Sequence, residues 1–213
     1  MDNNMKWLNE KKIEKTIRAL ENNNINGYFA KDKEELISTI KSIVKSGSTV
    51  SCGGSMTLFE TDIIDFLRGS DYNFLDRYKE GLSANDIKEI YRKSFFADAY
   101  FTSSNAITEN GELYNVDGNG NRVAAMIYGP DKVIVISGVN KIVKNEQEAI
   151  ERVRNIAAPA NAKRLNTDTP CSISGSCAYC SSSDRICCDY VTIKKQRSKG
   201  RMHVIFLNEV LGY

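Results

Sequence analysis

The chain has 213 residues, with 29 Lys and Arg against 27 Asp and Glu, and 41% of it is hydrophobic. This is the composition of a folded protein, which excludes wholesale disorder, and its near-neutral balance gives no general pull toward nucleic acid or an anionic membrane. The longest unbroken apolar run, Val123 to Tyr128, is far short of the roughly 20 residues a membrane span needs. The opening Met1-Asp2-Asn3-Asn4-Met5-Lys6 leads into charged, helix-patterned sequence rather than a secretory signal. The expectation is a cytoplasmic protein that binds neither membrane nor nucleic acid.

Residues 5–22 carry Trp7, Leu8, Ile13, Ile17 and Leu20 at near-helical spacing, which predicts an amphipathic helix. A strand follows over Ile25 to Ala30, and Asp32 is placed to cap a helix through Leu36, Ile37, Ile40 and Val44. Ser48 to Cys52 reads as a strand, Gly53-Gly54-Ser55 as a tight turn, and Leu58 to Leu67 as a helix. Tyr72 to Leu75 is expected to be a strand and Asn85 to Phe96 a helix. The compact apolar runs Ala99 to Thr102 and Val133 to Ile136 fit strands covered on both faces. Between them, Ile107 to Gly120 is rich in Asn, Gly and Asp and reads as hairpin and turn material. A helix from Glu146 to about Leu165 is interrupted by Pro159, and Tyr190 to Lys194 and Val204 to Leu207 are the closing strands. Strands alternating with helices predict one α/β domain over 1–213, with a mostly parallel sheet flanked by helices. A cysteine-rich insertion at 167–189 interrupts that domain near its C-terminus.

In such sheets ligands gather beyond the carboxyl ends of the strands. Three segments there are candidates. Gly53, Gly54, Ser55 and Thr57 follow a strand, where glycines admit close backbone approach and hydroxyls face a ligand; plain turn geometry accounts for them equally well. Asn105 and Glu109 follow the next, and a carboxylate beside small and hydroxyl residues is a candidate nucleophile or base, although Asn110-Gly111 is also a good hairpin turn. Asp117, Gly118, Gly120 and Arg122 pair flexible backbone with an acid and a guanidinium whose fork matches a carboxylate; a glycine-rich turn capping a helix accounts for them at least as well. Asn140 and Lys141 close a further strand and add an amide and a cation. The lone histidine, His203, lies inside a strand-like run and is expected to be structural; without a second histidine a Ser-His-Asp triad has no base. No Gly-x-Gly-x-x-Gly fingerprint follows an early strand, so hydride transfer is unsupported.

Five of six cysteines fall within 18 residues, as Cys171-x5-Cys177-x2-Cys180-x6-Cys187-Cys188. The two-residue spacer lets two thiolates reach one metal, and flanking cysteines can complete four ligands. Cys171, Cys177, Cys180 and Cys187 are the expected ligands, with Cys188 an equal contender for the fourth place. Thiolate ligation suits either an iron–sulfur cluster or zinc, and a disulfide or free thiols are the alternative. From Ala160 to Arg201 eight basic residues face three acidic ones, a local excess suited to an anionic ligand or to a solvated rim.

Several blocks together resemble the LUD domain, the lactate-utilisation protein family long catalogued as a domain of unknown function. They are Ala97-Asp98-Ala99-Tyr100, Ser104 through Gly111, Asp117 through Arg122, Val133 through Lys141, the Gly53-Gly54-Ser55-x-Thr57-Leu58 turn and the closing Arg201 to Leu207 with Glu209-x-Leu211-Gly212-Tyr213. The closing block resembles a clostridial-type subgroup that carries the cysteine loop. The resemblance implies a fold similar to ribose-phosphate isomerase, glucosamine-phosphate deaminase and the CoA transferases. It also implies a link to conversion of L-lactate to pyruvate alongside iron–sulfur and oxidoreductase-like protein partners. Glu109-Asn110-Gly111 is similar to the Glu-Asn-Gly of class I CoA transferases, whose glutamate forms the acyl-CoA thioester, which implies Glu109 as a catalytic candidate. Fold does not carry chemistry with it. The sequence therefore predicts a protein of organic-acid metabolism that binds a small carboxylate or phosphorylated metabolite, with acyl transfer through Glu109 and a non-catalytic assembly or sensor role as alternatives.

Overall fold

A computed structural model describes residues 2–213. In chain order the elements are α1 (Asn3–Asn22), β1 (Asn26–Ala30), α2 (Lys33–Ile43), β2 (Thr49–Cys52), α3 (Met56–Glu60), α4 (Ile63–Gly69), β3 (Asn73–Leu75), α5 (Ala84–Lys93), β4 (Ala99–Thr102), β5 (Ala106–Thr108), β6 (Leu113–Asp117), α6 (Asn121–Ile127), β7 (Lys132–Gly138), β8 (Ile142–Val143), α7 (Glu146–Arg152), α8 (Ala158–Arg164), α9 (Pro170–Ser174), β9 (Asp189–Ile193) and β10 (Met202–Leu207). Six strands form an all-parallel sheet in the order β1-β10-β7-β4-β2-β3. A smaller sheet, β8-β5-β6-β9, pairs β5 with β8 in parallel and its other neighbours antiparallel.

The two-residue period of a strand explains how the central sheet is covered on both faces. Along β7, Ile134 and Ile136 join one core with Leu36, Ile40, Leu58, Ile64 and Leu67, which come from α2, α3 and α4. Val133 and Val135 point the other way, into a second core with Ile13 and Leu20 of α1 and Met126 of α6. The small sheet is covered likewise. Ile107 and Leu113 enter the α1 core, while Ala106 and Tyr114 meet Ala149 and Val153 of the helical segment beyond β8.

Local signals set the helix starts. Asp32 accepts a hydrogen bond from the Glu35 N–H at 2.8 Å, and Ser83 and Asp86 form a reciprocal capping box ahead of α5. Four expectations change in detail. The predicted helix Leu58 to Leu67 is two short helices, because Asp62 adopts a left-handed backbone (φ 58°) between them. Pro159 does not end the helix that begins at Glu146; the chain passes through a π-helical turn at Val153–Ala157, and Pro159 falls in the first turn of α8. Trp7 and Leu8 do not join the core but stay exposed on α1. The helix expected over Asn85 to Phe96 runs Ala84–Lys93 and finishes in a 3-10 turn at Ser94–Phe96. His203 is buried in β10 between Tyr28, Asn26 and the Gly200 carbonyl, and burial lowers its pKa. Among the described residues no helix is long and apolar enough to cross a membrane.

Candidate functional site

Strands β2, β4 and β7 are neighbours, so the segments that leave their carboxyl ends meet. Together with the turn into α6 and the end of α8 they enclose a cleft of about 270 Å³. Of the sequence-predicted ligand residues, Gly54, Ser55, Asn105, Asp117, Gly118, Arg122 and Lys141 line it. Gly53 lies beneath, where a β-carbon would stand 2.9 Å from both Arg122 Cγ and the Tyr100 hydroxyl; only glycine lets the chain pass there. Gly120 turns the chain into α6 with φ 71°, beside Asp189. Thr57 is fully buried under the cleft floor. Asn140 faces away from the opening and pins the C-terminal segment, donating to Leu211 O and Gly212 O and accepting from the Leu211 N–H.

Two buried cations in the cleft wall differ in how they are satisfied. Arg122 donates to Asn115 Oδ1 (2.6 Å), Ser103 O (3.2 Å), Asn105 Oδ1 (3.0 Å) and Val116 O (2.9 Å). Its Nε faces Asp117 Oδ2 at 3.5 Å. Asp117 in turn accepts from the Gly118 and Val123 N–H groups. The guanidinium thus brackets the loop between β4 and β5 to the turn that leaves β6. It does not present the open carboxylate clamp that its residue type suggests.

Lys141 differs. It is 2% exposed, and its Nζ donates to two neutral hydroxyls, Thr57 Oγ1 at 2.8 Å and Ser103 Oγ at 2.9 Å. Burial drives its pKa from 10.5 down to about 7, reinforced by Arg152 and Arg122 and opposed by Glu60. Arg152 is itself buried and ties the two loops together, with Nε on Asn140 O (3.0 Å) and Nη1 on Asn105 O (2.7 Å).

Arg77, Arg164, Tyr91 and Tyr213 also line the cleft; Arg164 belongs to the basic stretch and Tyr213 to the closing block noted in the sequence, whereas Arg77 and Tyr91 were marked by neither. The Arg77 guanidinium stacks on Tyr91 (4.7 Å) and Tyr78 (5.3 Å). Its Nε and the Ser55 hydroxyl are both buried without a hydrogen-bond partner in the protein. Unpaired donors of this kind are costly unless something fills them. Among the described residues, four cationic side chains therefore line the cleft against the one side-chain carboxylate of Asp117, which Arg122 and two N–H groups already occupy. Arg77 follows β3 by two positions, and only the parallel β2–β3 pairing brings it to the opening; no local motif marks it.

Glu109 is not brought to the cleft. It lies at the far end of β5, ion-paired to Lys15 of α1 at 2.6 Å. The adjoining turn packs on the end of that helix: Asn23 donates to Asn110 O and Gly111 O. A β-carbon at Gly111 (φ 77°) would stand 2.6 Å from the backbone of Ala19 and Leu20. The segment anchors a hairpin to α1, and Glu109 is not among the residues that line the cleft.

A second cavity of about 140 Å³ lies in the cysteine loop, lined by Cys171, Cys177, Cys180 and Cys187 with Arg154, Arg185, Thr169 and Tyr179. Burial pushes the Cys187 thiol up to about 11, with Cys171, Cys177 and Cys180 adding to the rise. Among the described residues no three His, Cys, Asp or Glu side chains are gathered closely enough to grip a single metal ion. Ile186 lines both cavities, so the two share a wall.

The architecture is that of an α/β protein with a cation-lined cleft at the carboxyl end of a parallel sheet. The chain belongs to the LUD domain family, whose model matches residues 13–207. A crystal structure of a DUF162 family protein from Deinococcus radiodurans is similar across 93% of this chain and 98% of that one, with a TM-score of 0.53 at 13% identity, and so shares the fold. eIF2B beta from Chaetomium thermophilum matches 55% of this chain and 44% of its own (TM-score 0.37, 15% identity). eIF2B delta from the same organism matches 56% and 50% (TM-score 0.36, 19% identity). No curated protein shows a significant sequence match.

Proposed function

We propose that this LUD-domain protein binds a small carboxylate or phosphorylated metabolite of organic-acid metabolism in the cleft, in the cytoplasm, with Lys141 as the counter-charge at its floor. The observation that carries the reading is a buried ammonium held by hydroxyls alone and aimed into a cleft that is cationic overall. A buried charge without a partner is costly, and an anion on Lys141 removes that cost. Ser55 Oγ and Arg77 Nε offer the ligand two further unfilled donors, and Arg164 supplies charge at the mouth. Because Lys141 titrates near 7, an entering anion raises its pKa and draws a proton to Nζ. Lactate and pyruvate come first among ligands because the family resemblance implies them, with a redox protein as the partner.

Calorimetric titration with L-lactate, pyruvate, inorganic phosphate and sugar phosphates, with methyl lactate as the uncharged control, tests the reading. At least one anion is expected to bind and methyl lactate is not. Binding of methyl lactate with the affinity of lactate would overturn the role given to charge.

A further inference from the structure

We propose that Cys171, Cys177, Cys180 and Cys187 together hold an iron–sulfur cluster in the 140 Å³ basin of the cysteine loop, and that Cys188 is not a ligand. The four thiols come from α9, the Cys177-Ala178-Tyr179-Cys180 turn and the segment before β9, yet they line one cavity. Cys188 does not line it. Its side chain is exposed, with Sγ directed at Arg185 O (3.4 Å), and its N–H is spent on Asp117 O (2.9 Å).

The geometry points to a cluster more than to zinc. A tetrahedral zinc with bonds of about 2.3 Å draws its four sulfurs to within about 3.8 Å of one another. Here the four thiols line a basin of about 140 Å³, which leaves room for an inorganic core between them. A cluster spreads its ligands in that way, each iron taking its own cysteine around an inorganic core.

Charge and loop construction agree. A thiolate-ligated cluster is anionic, and among the described residues the charged side chains that line the basin are Arg154 and Arg185. Arg185 donates to Cys187 O and Cys180 O, both at 2.8 Å, and so fixes the backbone of two ligands. Tyr179, between Cys177 and Cys180, adopts a left-handed backbone (φ 51°), with Arg154 over its ring at 4.5 Å. Such a conformation costs a tyrosine about 1 kcal/mol or more and persists where its surroundings enforce it. The Thr169 hydroxyl lies 3.4 Å from Cys171 Sγ, placed for the hydrogen bonding to sulfur that tunes cluster potentials. The assignment does not depend on the ligand of the cleft.

The test uses the full chain purified without oxygen and reconstituted with ferrous iron and sulfide. Iron and acid-labile sulfide are expected in equal amounts, with a broad visible absorption that dithionite bleaches. Maleimide labelling of the native chain, read by mass spectrometry, is expected to modify all five loop cysteines before reconstitution and only Cys188 after it. Cys188→Ser is expected to keep the wild-type iron content, and Cys187→Ser to lose most of it. The labelling needs no variant, so a misfolded substitution does not decide the matter. Zinc without sulfide, failure to take up iron, or equal labelling of all five cysteines after reconstitution would each overturn the proposal.

Discussion

Arg122 and Lys141 are buried in the same wall of the same cleft, yet the protein treats them oppositely. Arg122 meets four oxygen acceptors and a carboxylate, all its own. Lys141 meets two hydroxyls and is surrounded by further positive charge. Burial and sign of charge are alike, so neither marks function. A cation whose donors the chain fills is a bracket; one left electrostatically short is a site for something the chain does not contain.

The contrast is sharpest in stability. Arg122→Ala strands Asn115, Asn105 and Asp117 in a buried setting and is expected to cost about 3–5 kcal/mol, read by urea unfolding. A loss below about 1 kcal/mol would mean that the bracket is not structural. Lys141→Met should do the reverse, leaving stability unchanged or higher while weakening anion binding by about tenfold or more. A Lys141→Met protein that binds as the wild type does would break the contrast altogether.

The effect of pH has a definite sign. The folded pKa of Lys141 lies below its ordinary 10.5, so between about 7 and 10.5 the unfolded chain holds the extra proton. Across that window its contribution makes the fold more stable as pH rises. Below about 7 both states are protonated and the full cost of the buried charge applies. The difference in unfolding free energy between wild type and Lys141→Met, measured at pH 7 and pH 10, is expected to shrink as pH rises.

Smaller effects belong to the rim. Arg77→Ala and Arg164→Ala are each expected to weaken the same anion by several-fold, about 1 kcal/mol, and more at low salt than at high. Glu109→Gln removes an ion pair with an exposed lysine. It is expected to leave anion binding unchanged and stability within about 1 kcal/mol, and hydroxylamine should trap no thioester there from acyl-CoA.

Much of the frame was legible in the sequence. The apolar runs that became β4, β7 and β10, the Asp32 cap and the turn at Gly53 need only local pattern and short-range sterics. Lys141 could be marked as a cation after a strand, but its isolation depends on Thr57, Ser103 and Arg152, which come together only when three strands pair. Arg77 carries no motif, and reaches the cleft through the pairing of β2 with β3. Arg122 is a related case: its residue type announces a fork, while only the fold shows that Ser103, Asn105, Asn115 and Val116 already accept from it. At Glu109 the sequence leaves nucleophile and hairpin flank both open, because Asn110-Gly111 serves a turn, and only the fold shows that α1 lies over that hairpin.

Proton uptake on anion binding tests the role of Lys141 most directly. Calorimetric titration of the tightest anion, repeated at pH 8.5 in buffers of differing ionisation enthalpy, counts the protons taken up. The account predicts close to one proton at pH 8.5, little at pH 6, and none in Lys141→Met at either pH. A wild-type protein that binds its anion at pH 8.5 without taking up a proton would contradict it.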